Sequence, residues 1–229
     1  MRGDFLVDSF KAFWVEKEDK EVRQSMINRS VNDLPQNDVL IRVHYSSLNY
    51  KDALSAKGLP GVTRNYPHTP GIDAAGVVET SNVADLQKGD EVIVTGFDLG
   101  MNTPGGFGQY VSVPADWVLK KPENMALRDS MIYGTAGLTA ALCYKKLVSM
   151  KAAPKDGPVL VTGSTGGVGS VAVSLLASEG FEVIACTGKA EQEDYLKRIG
   201  ATSVVSRQEL EEGNAAPMGK EKFGHVLDT

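Results

Sequence analysis

Cysteine is scarce: Cys143 and Cys186 are the only two in 229 residues, each inside an apolar segment. Neither a disulfide framework nor a thiolate zinc cluster can be assembled from them, and such usage fits a reducing cytosol. An excess of positive charge is also missing. Lys plus Arg number 24 against 29 Asp plus Glu, a formal net charge of −5. No basic run offers a phosphate backbone a track to follow, which argues against a nucleic-acid partner. No apolar stretch approaches the ~20 residues that span a bilayer. The opening MRGDFLVDSFKAFWVEKED has no apolar run of signal-peptide length. The expectation is a soluble, cytoplasmic protein with no membrane partner. What the chain does have is 42% hydrophobic and 23% charged residues, enough for one large or two modest cores.

The two halves differ in texture. From Phe5 to about Trp117, short β-branched or alternating runs (VLIRVHYSSL, AAGVVET, DEVIVTG, GQYVSVP) are separated by Pro, Gly and Asn, the pattern of a β-rich domain with few, short helices. From about Asp129 onward the segments lengthen and alternate: SMIYGTAGLTAALCYKKLV, PVLVTG, VGSVAVSLLASEG, FEVIACTG, AEQEDYLKRIG, ATSVVS and GHVLDT. Strand and helix in alternation predict a parallel sheet wound with helices. The polar piece from Glu209 to Lys222 reads as a surface connection. The predicted fold is therefore β plus α/β, with domains over 1–128 and 129–229.

The stretch VLVTGSTGGVGS, Val159 to Ser170, carries the strongest motif. A short strand runs into a glycine turn, and an apolar-faced helix from Val168 to Ser178, ended by Gly180, follows. In that context Gly163, Gly166 and Gly169 let the backbone turn tightly, approach a pyrophosphate and pack helix against strand. The helix N-terminus meanwhile offers unpaired N–H groups. Ser164, Thr165, Gly167 and Val168 complete the cofactor-binding turn. After the second strand an NAD site would place an acidic residue for the ribose; here stand Thr187, Gly188 and Lys189. A hydroxyl and a cation suit a 2′-phosphate, so NADPH is the expected cofactor. Arg207, after the third strand, reaches the same end of the sheet and could pair with that phosphate. Lys189 and Arg207 could equally be solvated surface cations, and Glu191 reads as a helix-cap residue.

The same glycines also fit T-G-x-x-x-G-x-G. In short-chain dehydrogenases, however, that motif opens the chain and a Tyr-x-x-x-Lys pair follows, and none of the seven tyrosines here has Lys four residues on. With a β-rich half in front, the chain resembles the medium-chain dehydrogenase/reductase superfamily, which places a GroES-like domain before a Rossmann domain. SSLNYKDAL, PGIDAAGVV, KGDEVIVTG, GTAGLTAAL and LVTGSTGGVGS resemble its zinc-free quinone oxidoreductase-like group, in particular the acryloyl-CoA reductase branch (YhdH and YhfP). The resemblance implies that Asn49 stands where zinc-dependent members carry a Cys ligand, and that Gly71, Ile72, Asp73 replace their Gly-His-Glu. Ile cannot ligate a metal, and no cysteine lies between Phe97 and Tyr110 for a structural site. His44, His68 and His225 lack ligand spacing and read as core or surface residues. No metal is expected.

Those substitutions point toward a conjugated acceptor, which can take hydride at its β-carbon and spread charge into an enolate without a Lewis acid. The expected function is NADPH-dependent reduction of acryloyl-CoA or a similar short enoyl thioester. The alternatives are an NADPH:quinone oxidoreductase and a non-catalytic NADPH-binding redox sensor. Catalytic candidates are Asn49 and Tyr50, either of which could steady the enolate oxygen; Tyr50 could also pass a proton through water. Their structural readings are a turn residue and an aromatic closing a domain interface. Asp52 reads as a cap, or as a partner of Lys51 or Arg64, rather than a proton carrier. The resemblance implies that Thr135 lies near the nicotinamide. Arg64 could meet the phosphates of a thioester substrate or be a solvated cation. Members of the group continue past the point where this sequence ends, as homodimers. The intact enzyme's function is what these motifs describe, and the final strand is expected to leave an apolar sheet edge.

Overall fold

The computed structural model describes residues 9–211 and 221–229. Most of the connection expected over Glu209 to Lys222 lies outside the described residues, as does the segment before Ser9. The chain divides into two compact units, residues 1–135 and 136–229.

The first unit opens with a long hairpin, β1 (Ser9–Glu18) and β2 (Glu21–Ser30), paired from Ser9↔Ser30 to Glu18↔Glu21. Its turn holds Asp19 at a positive φ of 52°, a conformation that Asp tolerates better than most residues. Charged side chains crowd this turn and leave no clean period-2 signal. There follow β3 (Val39–Tyr45), α1 (Tyr50–Ala56), β4 (Asp73–Ser81), β5 (Glu91–Thr95), β6 (Tyr110–Val113) and β7 (Leu119–Lys120). They form one antiparallel sheet in the order β6-β3-β4-β5-β7. Its core is Val39, Ile41, Val78, Val92, Val94, Val111 and Val113, buried residues of the β-branched runs, with Leu99 from the loop after β5. The sole described α-helix between these strands, α1, has seven residues.

The long helix α2 (Leu127–Ser149) bends at Gly134, whose φ of 48° and ψ of −149° are non-helical. Beyond it lie β8 (Val159–Val161), α3 (Gly167–Ser178), β9 (Val183–Cys186), α4 (Glu193–Arg198), β10 (Ser203–Val205), α5 (Arg207–Glu211) and β11 (His225–Leu227). The four strands are parallel in the order β10-β9-β8-β11. Val159, Val161, Val173, Leu176, Val183 and Leu196 form the buried heart of this unit. Each fully buried Leu contributes about 2–3 kcal/mol by leaving water. Parallel strands all point one way, so the segments leaving β8, β9 and β10 emerge at one end of the sheet.

No helix of the described residues is long and apolar enough to cross a membrane. The fold is thus an antiparallel β-rich unit followed by a parallel sheet alternating with helices, as the alternation in the sequence implied.

Candidate functional site

Chemistry-bearing residues gather in two places, one in each unit. In the second unit, β8 delivers the chain into the glycine turn. Ser164 is fully buried; its N–H donates to Cys186 O at 3.1 Å and its hydroxyl to Val161 O at 2.7 Å, so it closes the turn from inside. Gly163 has a φ of 53°. A Cβ on Gly169 would lie 2.4 Å from Gly163 O, so the first turn of α3 packs directly on the loop backbone. At Gly166 the same test finds only Gly163 O, at 3.2 Å. The start of α3 carries no side-chain cap. Its first amides have no intrahelical acceptor and no side-chain cap, the condition in which a helix end can receive an anion.

Around this turn the other strand ends converge. Thr165 Oγ1 lies 3.3 Å from Thr187 Oγ1, and Thr187 Oγ1 also accepts from Lys189 N–H at 3.1 Å. Thr187 N–H donates to Val205 O at 3.1 Å, which ties the end of β9 to β10. Arg207 follows β10, its Nε 3.8 Å from where a Cβ on Gly188 would stand. Lys189 and Arg207 are both exposed, and neither forms an ion pair among the described residues. Two free cations thus flank the Thr187–Gly188 segment. Glu191 sits in the short turn before α4.

In the first unit, antiparallel pairing of Tyr45 with Ala75 places the residues after β3 beside the first residue of β4. That residue is Asp73, with 0% exposure. Its Oδ2 accepts from Asn49 Nδ2 at 2.8 Å, from Thr135 N–H at 3.0 Å and from the Ser47 hydroxyl. Its Oδ1 accepts from Thr135 Oγ1 at 2.7 Å. A buried carboxylate is costly unless so bonded. Asn49 Nδ2 also donates to Ser47 Oγ at 2.9 Å. Both of its amide hydrogens are therefore engaged, and the N–H expected from the sequence to face an acceptor is directed into this network instead.

Asn49 is held from a second side. Its backbone N–H donates to Asp52 Oδ2 at 2.8 Å, while Asp52 Oδ1 accepts from Ile72 N–H at 2.9 Å. Asp52 is thus a cap, as its position implied, and it makes no ion pair with Lys51 or Arg64 among the described residues. Burial raises its carboxyl above the ordinary carboxylate range, nearby Asp73 adds to the rise, and the bonds from Asn49 and Ile72 oppose it. Tyr50, the first residue of α1, is 81% exposed and its hydroxyl has no partner among the described residues. Arg64 is exposed in a loop and, among the described residues, is anchored only through its backbone N–H, which donates to Asn102 Oδ1 at 3.1 Å.

Sequence reasoning passed over Ser47 and the role of Asp73. The one signal was a carboxylate opening the apolar strand DAAGVV, where an unpartnered charge would be out of place. The histidines do not meet: His44 is exposed on β3, His68 is buried, and His225 opens β11. Among the described residues, no three His, Cys, Asp or Glu side chains are grouped as metal ligands.

A uniquely placed glycine turn on a parallel sheet, preceded by an antiparallel β domain, defines the architecture of a nucleotide-dependent dehydrogenase. Residues 35–123 match the alcohol dehydrogenase GroES-like domain. The putative quinone oxidoreductase YhfP of Bacillus subtilis is 44% identical over 96% of this chain and 66% of its own length. Its solved structure with NAD bound superposes with a TM-score of 0.90. The acrylyl-CoA reductase AcuI of Ruegeria pomeroyi is 42% identical over 96% of this chain and 67% of its own. The structure of the yhdH oxidoreductase from Salmonella enterica in complex with NADP superposes with a TM-score of 0.91 at 40% identity, covering 96% of this chain and 67% of that one. The chain belongs to the medium-chain dehydrogenase/reductase superfamily, in the group of YhfP and the acrylyl-CoA reductases. It spans about two thirds of the length of these relatives.

Proposed function

We propose that the protein is an NADPH-dependent reductase of an activated carbon–carbon double bond, acting on acryloyl-CoA or a similar short enoyl thioester. The observation that carries this reading is the pair of cations, Lys189 and Arg207, without an ion pair among the described residues and standing with Thr187 beside the glycine turn. The cradle fits a dinucleotide: uncapped helix amides face the pyrophosphate position, and hydroxyl and cation donors suit a 2′-phosphate. Gly163, Ser164, Thr165, Gly166, Gly167, Val168 and Gly169 would hold the pyrophosphate, with Thr135 toward the nicotinamide. NADPH supplies the hydride.

The protein's own contribution is orientation and charge stabilisation. Tyr50 presents a free phenol O–H that can donate to the oxygen on which negative charge grows, and can relay a proton through water. Asn49 acts by fixing the loop that carries Tyr50, since its own donors are committed. Arg64, exposed and without a side-chain partner among the described residues, would meet the phosphates of a thioester substrate. A homodimer and a cytoplasmic location belong to the same reading; a chain with only two cysteines, Cys143 and Cys186, is compatible with a reducing compartment.

The test is titration with NADPH and NADH, then turnover with acryloyl-CoA against benzoquinones. NADPH preference with thioester turnover is the expected result. Turnover confined to quinones would instead favour an NADPH:quinone oxidoreductase, the activity for which YhfP is named. Cofactor binding with no acceptor reduced would leave a redox-sensor protein.

A further inference from the structure

The reaction just described needs the acceptor and the nicotinamide held within a fraction of an ångström, yet Tyr50 is exposed and Thr135 follows a bend in a helix. We propose that Asp73 is a positioning residue: its carboxylate locks the Asn49–Tyr50 loop and Thr135 into one rigid unit. This rests on the functional reading above for what the unit positions, but not for the anchoring itself.

Several independent features converge on this group. Asp73 is fully buried, and no ion pair among the described residues includes it, so hydrogen bonds alone offset its burial. Four donors reach its two oxygens, from Ser47, from Asn49 and twice from Thr135. Gly134 makes the last pair possible. Its φ of 48° and ψ of −149° break the helix, and a Cβ there would lie 2.7 Å from Asp73 Oδ2 and 3.0 Å from Ser47 Oγ. The backbone is bent so that Thr135 presents both N–H and hydroxyl to one carboxylate. Asn49 is meanwhile pinned through its side chain by Asp73 and through its backbone by Asp52. The adjoining residue, Tyr50, thus starts α1 from a fixed point. Asp73 is shut off from the surface, so it acts through Asn49 and Thr135.

Asp73→Asn tests the proposal with little change of volume. The carboxamide removes the charge and replaces one acceptor oxygen by a donor, so the Thr135 hydroxyl must turn from donor to acceptor to keep its contact and the remaining donors face a neutral oxygen. The proposal expects kcat with acryloyl-CoA to fall about 100-fold while the NADPH Kd changes less than about 3-fold. The primary isotope effect with 4-deuterated NADPH should rise as hydride transfer becomes rate-limiting. Thr135→Val, which keeps the N–H and loses the hydroxyl, should lose about 10-fold, and Thr135→Ser should recover it. In the absence of turnover, the Asn49 side-chain amide protons should exchange slowly in the wild type and at least 10-fold faster in Asp73→Asn. A lower melting temperature with wild-type kcat per folded molecule and an unchanged isotope effect would reduce Asp73 to a fold-holding role and overturn the proposal. If Asp73→Asn does not fold, Thr135→Val decides, and wild-type kcat there overturns it. A wild type that reduces no acceptor defeats the functional reading alone; unchanged Asn49 exchange in Asp73→Asn defeats the anchoring, whatever the activity.

Discussion

Thr135 and Asp73, 62 residues apart in sequence, are joined by two hydrogen bonds to one carboxylate, 2.7 Å from the Thr135 hydroxyl and 3.0 Å from its amide. The bend at Gly134 that allows this lies in a region of φ and ψ that essentially only glycine adopts. Gly134→Ala is therefore expected to cost about 1–3 kcal/mol in backbone strain, with the new methyl pressed on Asp73. Thermal unfolding of the variant checks this: a melting temperature equal to that of the wild type would mean the bend is not constrained.

Tyr50 offers a phenol with no intramolecular partner. Tyr50→Phe removes the donor but little volume, so kcat should fall roughly 100-fold, the scale of one lost oxyanion donor. The NADPH Kd and the melting temperature should hold. Stopped-flow turnover and cofactor titration on the same preparation separate these, and an active Tyr50→Phe enzyme would remove Tyr50 from the chemistry.

The two exposed cations beside Thr187 should set cofactor choice. Charge-assisted hydrogen bonds contribute about 1.5–3 kcal/mol each, so Lys189→Ala or Arg207→Ala should weaken NADPH binding by about 10- to 100-fold. NADH, which lacks the 2′-phosphate, should bind nearly as before. Equal losses for both nucleotides would contradict the assignment.

Glycines of the turn should fail in different ways. At Gly169 a Cβ meets backbone oxygen at 2.4 Å, whereas at Gly166 the only neighbour is Gly163 O at 3.2 Å. Gly169→Val is expected to unfold the second unit. Gly166→Val should fold, with a modest loss of stability, yet lose NADPH affinity by at least about 100-fold, because its side chain fills the space where a pyrophosphate must come close. Circular dichroism and NADPH fluorescence distinguish the two outcomes.

His68 is 4% exposed and its Nε2 is buried without a partner among the described residues. Burial lowers its pKa below the ordinary value, as does Arg29 to a lesser degree; contact with the Gly100 backbone and the charge of Asp98 oppose the shift. The unfolded chain therefore takes up a proton near pH 6.5 while the folded protein still resists it. The stability associated with neutral His68 is complete above that pH and is lost as pH falls, until the folded form also protonates. Melting temperatures from pH 7.5 down to 5 should decline more steeply in the wild type than in His68→Gln. Parallel declines would show that His68 does not drive the loss.

Much of the glycine turn's geometry was legible because it is local. Val159 to Gly180 contains strand, turn and helix in succession, and the demand on Gly169 arises from Gly163 and Ser164 within that one segment, whereas a Cβ on Gly163 would meet the distant Thr229. The division into an antiparallel β unit and a parallel wound sheet likewise followed from period and spacing. The β1–β2 hairpin was less visible, since charge crowds both sides of its turn, and backbone pairing rather than apolar alternation marks it.

The first unit's site was decided elsewhere. From the sequence, Asn49 and Tyr50 looked equivalent as donors. Only the register of β3 on β4 and the bend at Gly134 bring Ser47, Asn49 and Thr135 onto Asp73, which commits Asn49 and leaves Tyr50 free. The sequence by itself determined the class of fold and the glycine turn between β8 and α3, because those depend on residues close together along the chain. Which polar groups are spent on holding the protein together, and which remain for chemistry, depends on contacts spanning 24 and 62 residues. Such pairings are set by strand register and backbone direction in three dimensions, and no local pattern encodes them.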